Sequence, residues 1–353
     1  MISRRRASLK DVAALAKTSV ATASRVLNNT GYTAEETRKR VLKSAESLSY
    51  QPNLRARGLR QRSSRTIGLL IPNLLNAYYT ALADAISQLL TEHGYQLLLS
   101  STRDDPQVEE NTLHTLIGHD VDGLLWVPTA GDDQRLDFLQ SQRLPAIAIV
   151  RRVEGNRIDT IVFEDFAGSK AGTQHLIDLG HKRIGYIGGD VKYSSNHERW
   201  QGHLQALQDA GISAEEPLIK LGALHSTWGA QATGELLKFV NPPTAIFVSS
   251  NVIMPGVMKT ISQSGVSIPK ELSLICFDDL DWFAYSNPPI SAIATSHTRI
   301  AEEAVNLLLG RIENAREQEK PPVFKRINFE LVIRNSTIAY GQNNNLKYYA
   351  AIK

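Results

Sequence analysis

Charge is divided very unevenly along this chain. In the first 65 residues fifteen Lys and Arg side chains, from Arg4 to Arg65, face four acids, Asp11, Glu35, Glu36 and Glu46, a net charge of +11. The whole chain carries only +3, which leaves residues 66–353 with 24 bases and 32 acids, a net of −8. That is the pattern of a small polyanion-binding head on a large soluble body. Such heads usually neutralise phosphates, and their affinity falls steeply with salt. A disordered basic tail would carry the same charge, but helical periodicity inside the stretch argues against it.

At 353 residues the chain is long enough for two or three domains, and its 42% hydrophobic content is ordinary for a globular protein. No apolar run approaches the roughly 18 residues of a membrane span. The N-terminus, Met1-Ile2-Ser3-Arg4-Arg5-Arg6, lacks the apolar core of a secretory signal. The single cysteine, Cys276, excludes an intramolecular disulfide and suggests a reducing compartment. These features predict a soluble cytoplasmic protein with no membrane partner.

Ser8-Leu9-Lys10-Asp11 has the form of a capping box opening a helix with Val12, Leu15 and Ala16 on one face. Ser19 can cap a second helix, Val20 to Leu27, with Ala23, Val26 and Leu27 on its buried side. About three residues separate the two, the spacing of a helix-turn-helix. Thr33-Ala34-Glu35-Glu36 reads as another capping box, opening a third helix with Val41, Leu42, Ala45 and Leu48. The exposed side of the second helix holds Val20, Ala21, Thr22, Ser24 and Arg25. Short side chains let a helix N-terminus approach base edges, and an Arg can fork onto guanine O6 and N7. A generic three-helix bundle with a solvated Arg fits the same pattern.

Residues 51–65 follow, with Pro52 placed to begin a helix and Asn53, Ala56 and Leu59 with Arg60 on one face. The segment is too short and too cationic to be stable alone. It reads as a linker that turns helical against a polyanion, or as a plain flexible linker.

Five pieces occur in order: Leu9-Lys10-Asp11-Val12-Ala13, Ser24-Arg25-Val26-Leu27-Asn28, Thr37-Arg38-x-Arg40-Val41, Tyr50-x-Pro52-Asn53 and Ala56-Arg57-Gly58-Leu59. Together they resemble the DNA-binding head of the lactose-repressor and purine-repressor family. The resemblance implies that Val20 and Ala21 read bases, that Thr22 and Ser24 meet phosphates, and that Arg25 supports base recognition. It also implies a hinge helix, bearing Asn53 and Ala56, whose Leu59 wedges into the minor groove and exchanges base unstacking for a bent duplex. Lys17-Thr18 stands where the family has Gly-Val, so the turn must manage without glycine's freedom. Ala23 replaces the usual Val, a loss worth about 1–2 kcal/mol if the gap stays open.

From Thr66 short apolar runs alternate with amphipathic stretches. Strands are predicted at 66–71, 96–100, 123–127 and 146–150, with helices at 77–92, 107–119 and 132–142. A second series has strands at 160–163, 183–187, 245–248 and 272–277, with helices at 166–179, 197–210, 227–239 and 254–264. Two βα series predict two doubly wound parallel sheets, with ligands bound beyond the carboxyl ends of the strands, in the cleft between lobes. The family resemblance extends here through Asn76-Ala77-Tyr78-Tyr79, Val121-Asp122-Gly123, Leu179-Gly180-His181, Arg199-x-x-Gly202 and Phe277-Asp278-Asp279. It implies a periplasmic-binding-protein architecture with lobe crossings near residues 163, 293 and 323. The expected divisions are a head at 1–50, a hinge at 51–65, a two-lobed body at 66–339 and a tail at 340–353.

Strand ends nominate the effector residues: Asn76 and Tyr79, Ser101, Arg151, Asp165, Arg199, Asn251, Asp278, and Trp282 just beyond. Polar groups plus an aromatic suit a small hydroxylated ligand. Where the family has Asp residues, Val150 precedes Arg151 and Asn251 follows Ser250; Phe166 stands in place of an Asn. With Arg151, Arg152 and Arg199 retained, the field tilts positive and suggests a sugar acid, while a neutral sugar or a nucleobase stays open. Arg199→Ala is expected to leave the protein folded and DNA-competent but unresponsive to its effector.

Enzyme motifs (G-x-S-x-G, Walker A, H-E-x-x-H, a strand followed by G-x-G-x-x-G) are absent from the sequence. No cofactor or metal site is expected; the nine His show no metal-ligand spacing. The predicted function is a ligand-responsive repressor that binds a near-palindromic operator as a homodimer. A solute receptor or a sugar-processing enzyme are the rival classes. Assembly is expected to stop at a dimer, because only 13 residues follow Tyr340 and none forms an a/d apolar repeat.

Overall fold

The computed structural model describes residues 7–50, 63–131, 134–314 and 320–341. The expected hinge residues Asn53, Ala56 and Leu59 lie outside the described residues, as does the tail from 342. The chain divides into two units between Ser64 and Arg65.

In the N-terminal unit α1 (Leu9–Leu15) opens on the expected reciprocal capping box between Ser8 and Asp11. α2 (Val20–Leu27) starts at Ser19, whose Oγ accepts from the Thr22 amide at 3.0 Å. α3 (Glu35–Ser47) forms without its predicted box: Ala34 takes the cap position and no side chain bonds there. Thr33 falls one residue too early, and the acids of the first turn are left to offset the free amides.

Val12, Ala13, Ala16, Ala23, Val26, Val41 and Ala45 form the core of this unit. Leu15 and Leu42, expected inside, are half-exposed. Four alanines, Ala13, Ala16, Ala23 and Ala45, take buried positions in that core instead. The turn between α1 and α2 is made by Lys17 at φ +50°, a left-handed conformation that costs an L-residue about 1–2 kcal/mol.

The body opens with β1 (Thr66–Ile71), β2 (Gln96–Ser101), β3 (Gly123–Trp126), β4 (Ala146–Ile149) and β5 (Asp159–Phe163). Helices α4 (Ala77–Glu92), α5 (Pro106–Gly118) and α6 (Gln134–Ser141) alternate with them. The second lobe has β6 (Ile184–Gly189), β7 (Ile219–Gly222), β8 (Ala245–Val248), β9 (Ser273–Phe277) and β10 (Ser291–Thr295). Its helices are α7 (Asp165–Asp178), α8 (Ser194–Asp209), α9 (Ser226–Leu237), α10 (Met254–Ser264) and the short α11 (Asp281–Tyr285). α12 (His297–Glu313) packs back on the first lobe. β11 (Phe324–Ile327) then pairs with β5, and β12 (Phe329–Val332) with β10.

The two sheets run β11-β5-β4-β3-β1-β2 and β12-β10-β9-β8-β6-β7. The chain therefore crosses between lobes after β5, after β10 and between β11 and β12. The first sheet is parallel as expected, whereas β12 runs antiparallel to β10 and makes the second mixed. Side chains alternate along each strand: Ile67, Leu69 and Ile71 pack under α4 and α12, while Leu70 joins Leu124 and Trp126 on the opposite face. Each sheet reverses its winding once, at β1/β3 and at β6/β8. The carboxyl ends of these strand pairs are where doubly wound folds bind ligands, and here the two face one cleft.

Candidate nucleic-acid interface and interlobe ligand site

On α2 the structure leaves Val20, Ala21 and Arg25 exposed and Thr22 half-buried. Thr22 Oγ1 lies 2.9 Å from Ser19 Oγ. Ser24 departs from the expectation of an exposed side chain. It is buried, and its Oγ accepts from Asn28 Nδ2 at 3.2 Å. The burial removes it from the exposed side of α2 where the sequence put it. The outward surface is thus a short-side-chain helix start with one forked cation, the geometry that a major groove accepts.

In the body, five of the nine nominated residues line the cleft: Asn76, Tyr79, Arg151, Arg199 and Asp278. Asp165 stands behind Arg199 and supports it. Ser101 turns away, its Oγ donating to the Pro72 carbonyl at 3.0 Å. Asn251 is buried beside Ser250, which lines the cleft in its place, and its Nδ2 has no hydrogen-bond partner among the described residues. Trp282 lies off the site, more than a third exposed on α11 with its ring edge-on to Phe283.

Sequence reasoning missed Tyr78, Phe163, Asp104, Ser195, Asn196 and Leu224. The Asn76-Ala77-Tyr78-Tyr79 run carried a signal for Tyr78. Asn76 caps α4 by accepting from the Tyr78 amide at 3.0 Å, which fixes both tyrosines at the cleft. Asn196 had no such signal. It fits because Gly189 has no side chain; a Cβ there would lie 2.4 Å from Asn196 Nδ2.

Arg199 is held by two carboxylates, a carbonyl and an aromatic ring. Its Nε donates to Asp165 Oδ1 at 2.7 Å, and its Nη1 to the Ser249 carbonyl at 2.8 Å and to Asp278 Oδ2 at 3.4 Å. The guanidinium lies 3.7 Å from the centre of the Phe277 ring. The close approach of α7 and α8 puts Asp165 beside it, since a Cβ on Gly202 would come within 2.2 Å of the Phe166 carbonyl oxygen. Burial pushes the Asp165 carboxyl up to about 7 against the pull of Arg199. Burial also works against the Arg199 cation, but Asp278 and Asp165 outweigh it and hold the guanidinium above its usual range.

Arg151 enters from the first lobe on a strained turn. Val150 sits at φ +66°, and the Arg151 amide donates back to the Ile149 carbonyl at 2.7 Å, a three-residue γ-turn. Left-handed backbone is rare for a β-branched residue. Asp278, at the end of β9, shares it at φ +68°. Strain of this kind concentrates at ligand sites. Arg151 Nη1 meets Asp104 Oδ1 at 2.5 Å and the Pro128 carbonyl at 3.3 Å, and its guanidinium covers Tyr193 at 4.1 Å.

The predicted positive tilt therefore does not survive. Arg151 has Asp104, and Arg199 has Asp165 and Asp278. Arg103 and Arg152 are both exposed, and Arg152 pairs with Glu198. Among the described residues no group of His, Cys, Asp or Glu is arranged to hold a metal ion, and no helix is long and apolar enough to cross a membrane.

Residues 8–53 match the family described as bacterial regulatory proteins, lacI family, and residues 173–337 a periplasmic binding protein-like domain. The chain is 32% identical over 330 residues to the HTH-type transcriptional repressor PurR of Actinobacillus pleuropneumoniae serotype 3 (strain JL03), covering 94% of this chain and 98% of that protein. Identity to the PurR of Haemophilus influenzae (strain PittEE) is 31% over 334 residues, with the same coverage of both chains.

Among solved structures, the lac repressor dimer bound to operator and the anti-inducer ONPF superposes with a TM-score of 0.83 at 25% identity, over 95% of this chain and all of that one. The transcriptional regulator CelR–cellobiose complex gives 0.71 at 26% identity, over 94% and 100%. These relatives are regulators, not enzymes, and the chain belongs to the lacI family of DNA-binding transcriptional regulators.

Proposed function

We propose that the chain is a repressor that binds a near-palindromic operator as a homodimer and is switched by a neutral, polyhydroxylated small molecule in the interlobe cleft. The head at 1–50 would read the major groove, the hinge at 51–65 the minor groove, and the body at 66–339 would bind effector and partner copy. One observation carries the ligand class. The pairs Arg199–Asp278 and Arg151–Asp104 line the cleft together with Asn73, Asn76, Ser195 and Asn196. Each couples fixed donors to a carboxylate acceptor, which suits vicinal hydroxyls that donate and accept at once. Because each cation already has a counter-charge, a carboxylate on the ligand gains little, and a sugar acid is disfavoured.

A nucleobase is the second reading, favoured by the 32% identity to the repressor named PurR. Against it, Tyr78 meets Tyr79 and Phe163 edge-on, at 75° and 78°, and Leu224 faces the cleft from the other lobe. Among the described residues no pair of parallel rings flanks a flat slot there. Thermal-shift measurements of the full chain against neutral sugars, sugar acids and purine bases test this. A neutral sugar should raise the melting temperature and change operator affinity. A response to purines alone would overturn the sugar reading and leave the regulator reading intact.

A further inference from the structure

The residue before Arg199 on α8 is Glu198, and its partners all come from the other lobe or its edge. Arg326 of β11 grips it with two bonds, Nη1 to Oε2 at 2.7 Å and Nη2 to Oε1 at 3.0 Å. Arg152, just beyond β4, places Nε 3.3 Å from Oε1. The Arg152 amide also donates to Ser194 Oγ at 2.9 Å, at the first residue of α8. Arg326 Nη1 reaches the Phe163 carbonyl at 3.1 Å, at the first crossover, and Glu164 lies 4.0 Å away. The Glu198 side chain is only 13% exposed.

Most surface ion pairs contribute little. This one is bidentate, shared by two cations, largely shielded and spans the lobes. Apolar contacts tolerate sliding, whereas forked charge-assisted bonds lose their geometry within an ångström or two. A shift of α8 against β11 would break both arginine contacts together and admit water, which makes the seam two-state rather than graded.

We propose that Glu198 is an interlobe latch, engaged by Arg152 and Arg326, that sets how often the lobes close and thereby the response of the cleft to its ligand. The inference rests on the reading of the cleft as the effector site. Glu198 acts here as a positioning residue: it lies next to Arg199 in sequence but is not among the cleft-lining residues.

The test is the distance between lobes in the full chain without ligand or DNA. Spin labels go on Glu92→Cys in α4 and Gln208→Cys in α8, both exposed, while the native Cys276 is buried. The parent should give one narrow distance distribution. Glu198→Gln and Arg326→Met should add a longer-distance population, raised about five- to tenfold over the parent, at nearly unchanged melting temperature. If Glu198→Gln fails to fold, Arg152→Met, whose side chain is 41% exposed, reads the same seam. Distributions identical to the parent in the folded variants would overturn the latch. Since neither ligand nor DNA is present, that outcome would not touch the regulator reading, and a failure of ligand binding would overturn the latch's link to ligand response while leaving its effect on lobe closure.

Discussion

Arg199→Ala takes a cation from between two buried carboxylates. Arg199 is 6% exposed, Asp165 2% and Asp278 8%, so little water is at hand to replace it. Removing one partner of a buried ion pair costs about 3–5 kcal/mol, because the remaining charge stays desolvated. In a body of this size each kcal/mol lowers the melting temperature by about 2–4 °C, so a fall on the order of 10 °C is expected.

The loss should depend on pH. Asp165 already titrates near 7 with Arg199 present, and without it the carboxyl moves higher still. A carboxyl whose folded value is raised loses stability as pH rises from its unfolded value near 3.9 to the folded one. Parent and variant share that loss up to about pH 7, and only the variant continues to lose above it. The deficit should therefore be larger at pH 8 than at pH 6. Asp165→Leu combined with Arg199→Met should recover only the share of the loss that belongs to Asp165, since Asp278 stays without its cation. Differential scanning calorimetry of the full chain at both pH values decides. An Arg199→Ala protein melting within about 2 °C of the parent would refute the argument and restore the simpler expectation that this residue serves the ligand alone.

Lys17→Gly should stabilise the head by about 0.5–1 kcal/mol, the left-handed cost less glycine's added chain entropy, seen as slower amide exchange in α1 and α2; unchanged exchange would contradict it. Leu59→Ala should weaken operator binding by on the order of a few kcal/mol and leave non-specific binding nearly constant, and equal loss on both DNAs would show that Leu59 does not wedge. Burial lowers the His203 imidazole to about 3, with Nδ1 2.9 Å from Thr173 Oγ1. Its contribution is complete above about pH 6.5 and lost as pH falls towards 3, by up to about 1.4 kcal/mol per pH unit. His203→Gln should flatten the stability profile between pH 7 and 5 without removing the slope, since burial also lowers His175 and His181; an unaltered profile would contradict this.

Much of the fold was legible because its strands are short apolar runs closed by turns. β1, β8, α4 and α10 fall where the pattern puts them. β7, Ile219-Lys220-Leu221-Gly222, was not legible: it is a half-buried edge strand of four residues with a charge inside. α12 carries a legible signal that the strand-by-strand pattern does not use: Ile300, Ala304, Leu308 and Val305, Leu309 repeat at helical spacing. In the site, strand-end logic found Arg151, Arg199 and Asp278. It could not find Asp104, because which carboxylate partners Arg151 is decided across 47 residues by the packing of two loops. It also misjudged the field of the cleft, since counting missing acids near each arginine does not count those brought in by the fold.

The central claim is that a basic head gives this body its DNA-binding function, and the most direct measurement compares the full chain with the chain lacking residues 1–62. A palindromic duplex selected by the full chain from a random-sequence pool serves as the probe, titrated at several salt concentrations. The full chain should bind it with log K falling by about 0.9 per phosphate contacted for each decade of salt, and the truncated chain should not bind it. Sequence-specific affinity retained by the truncated chain, or a full-chain affinity indifferent to salt, would contradict the account.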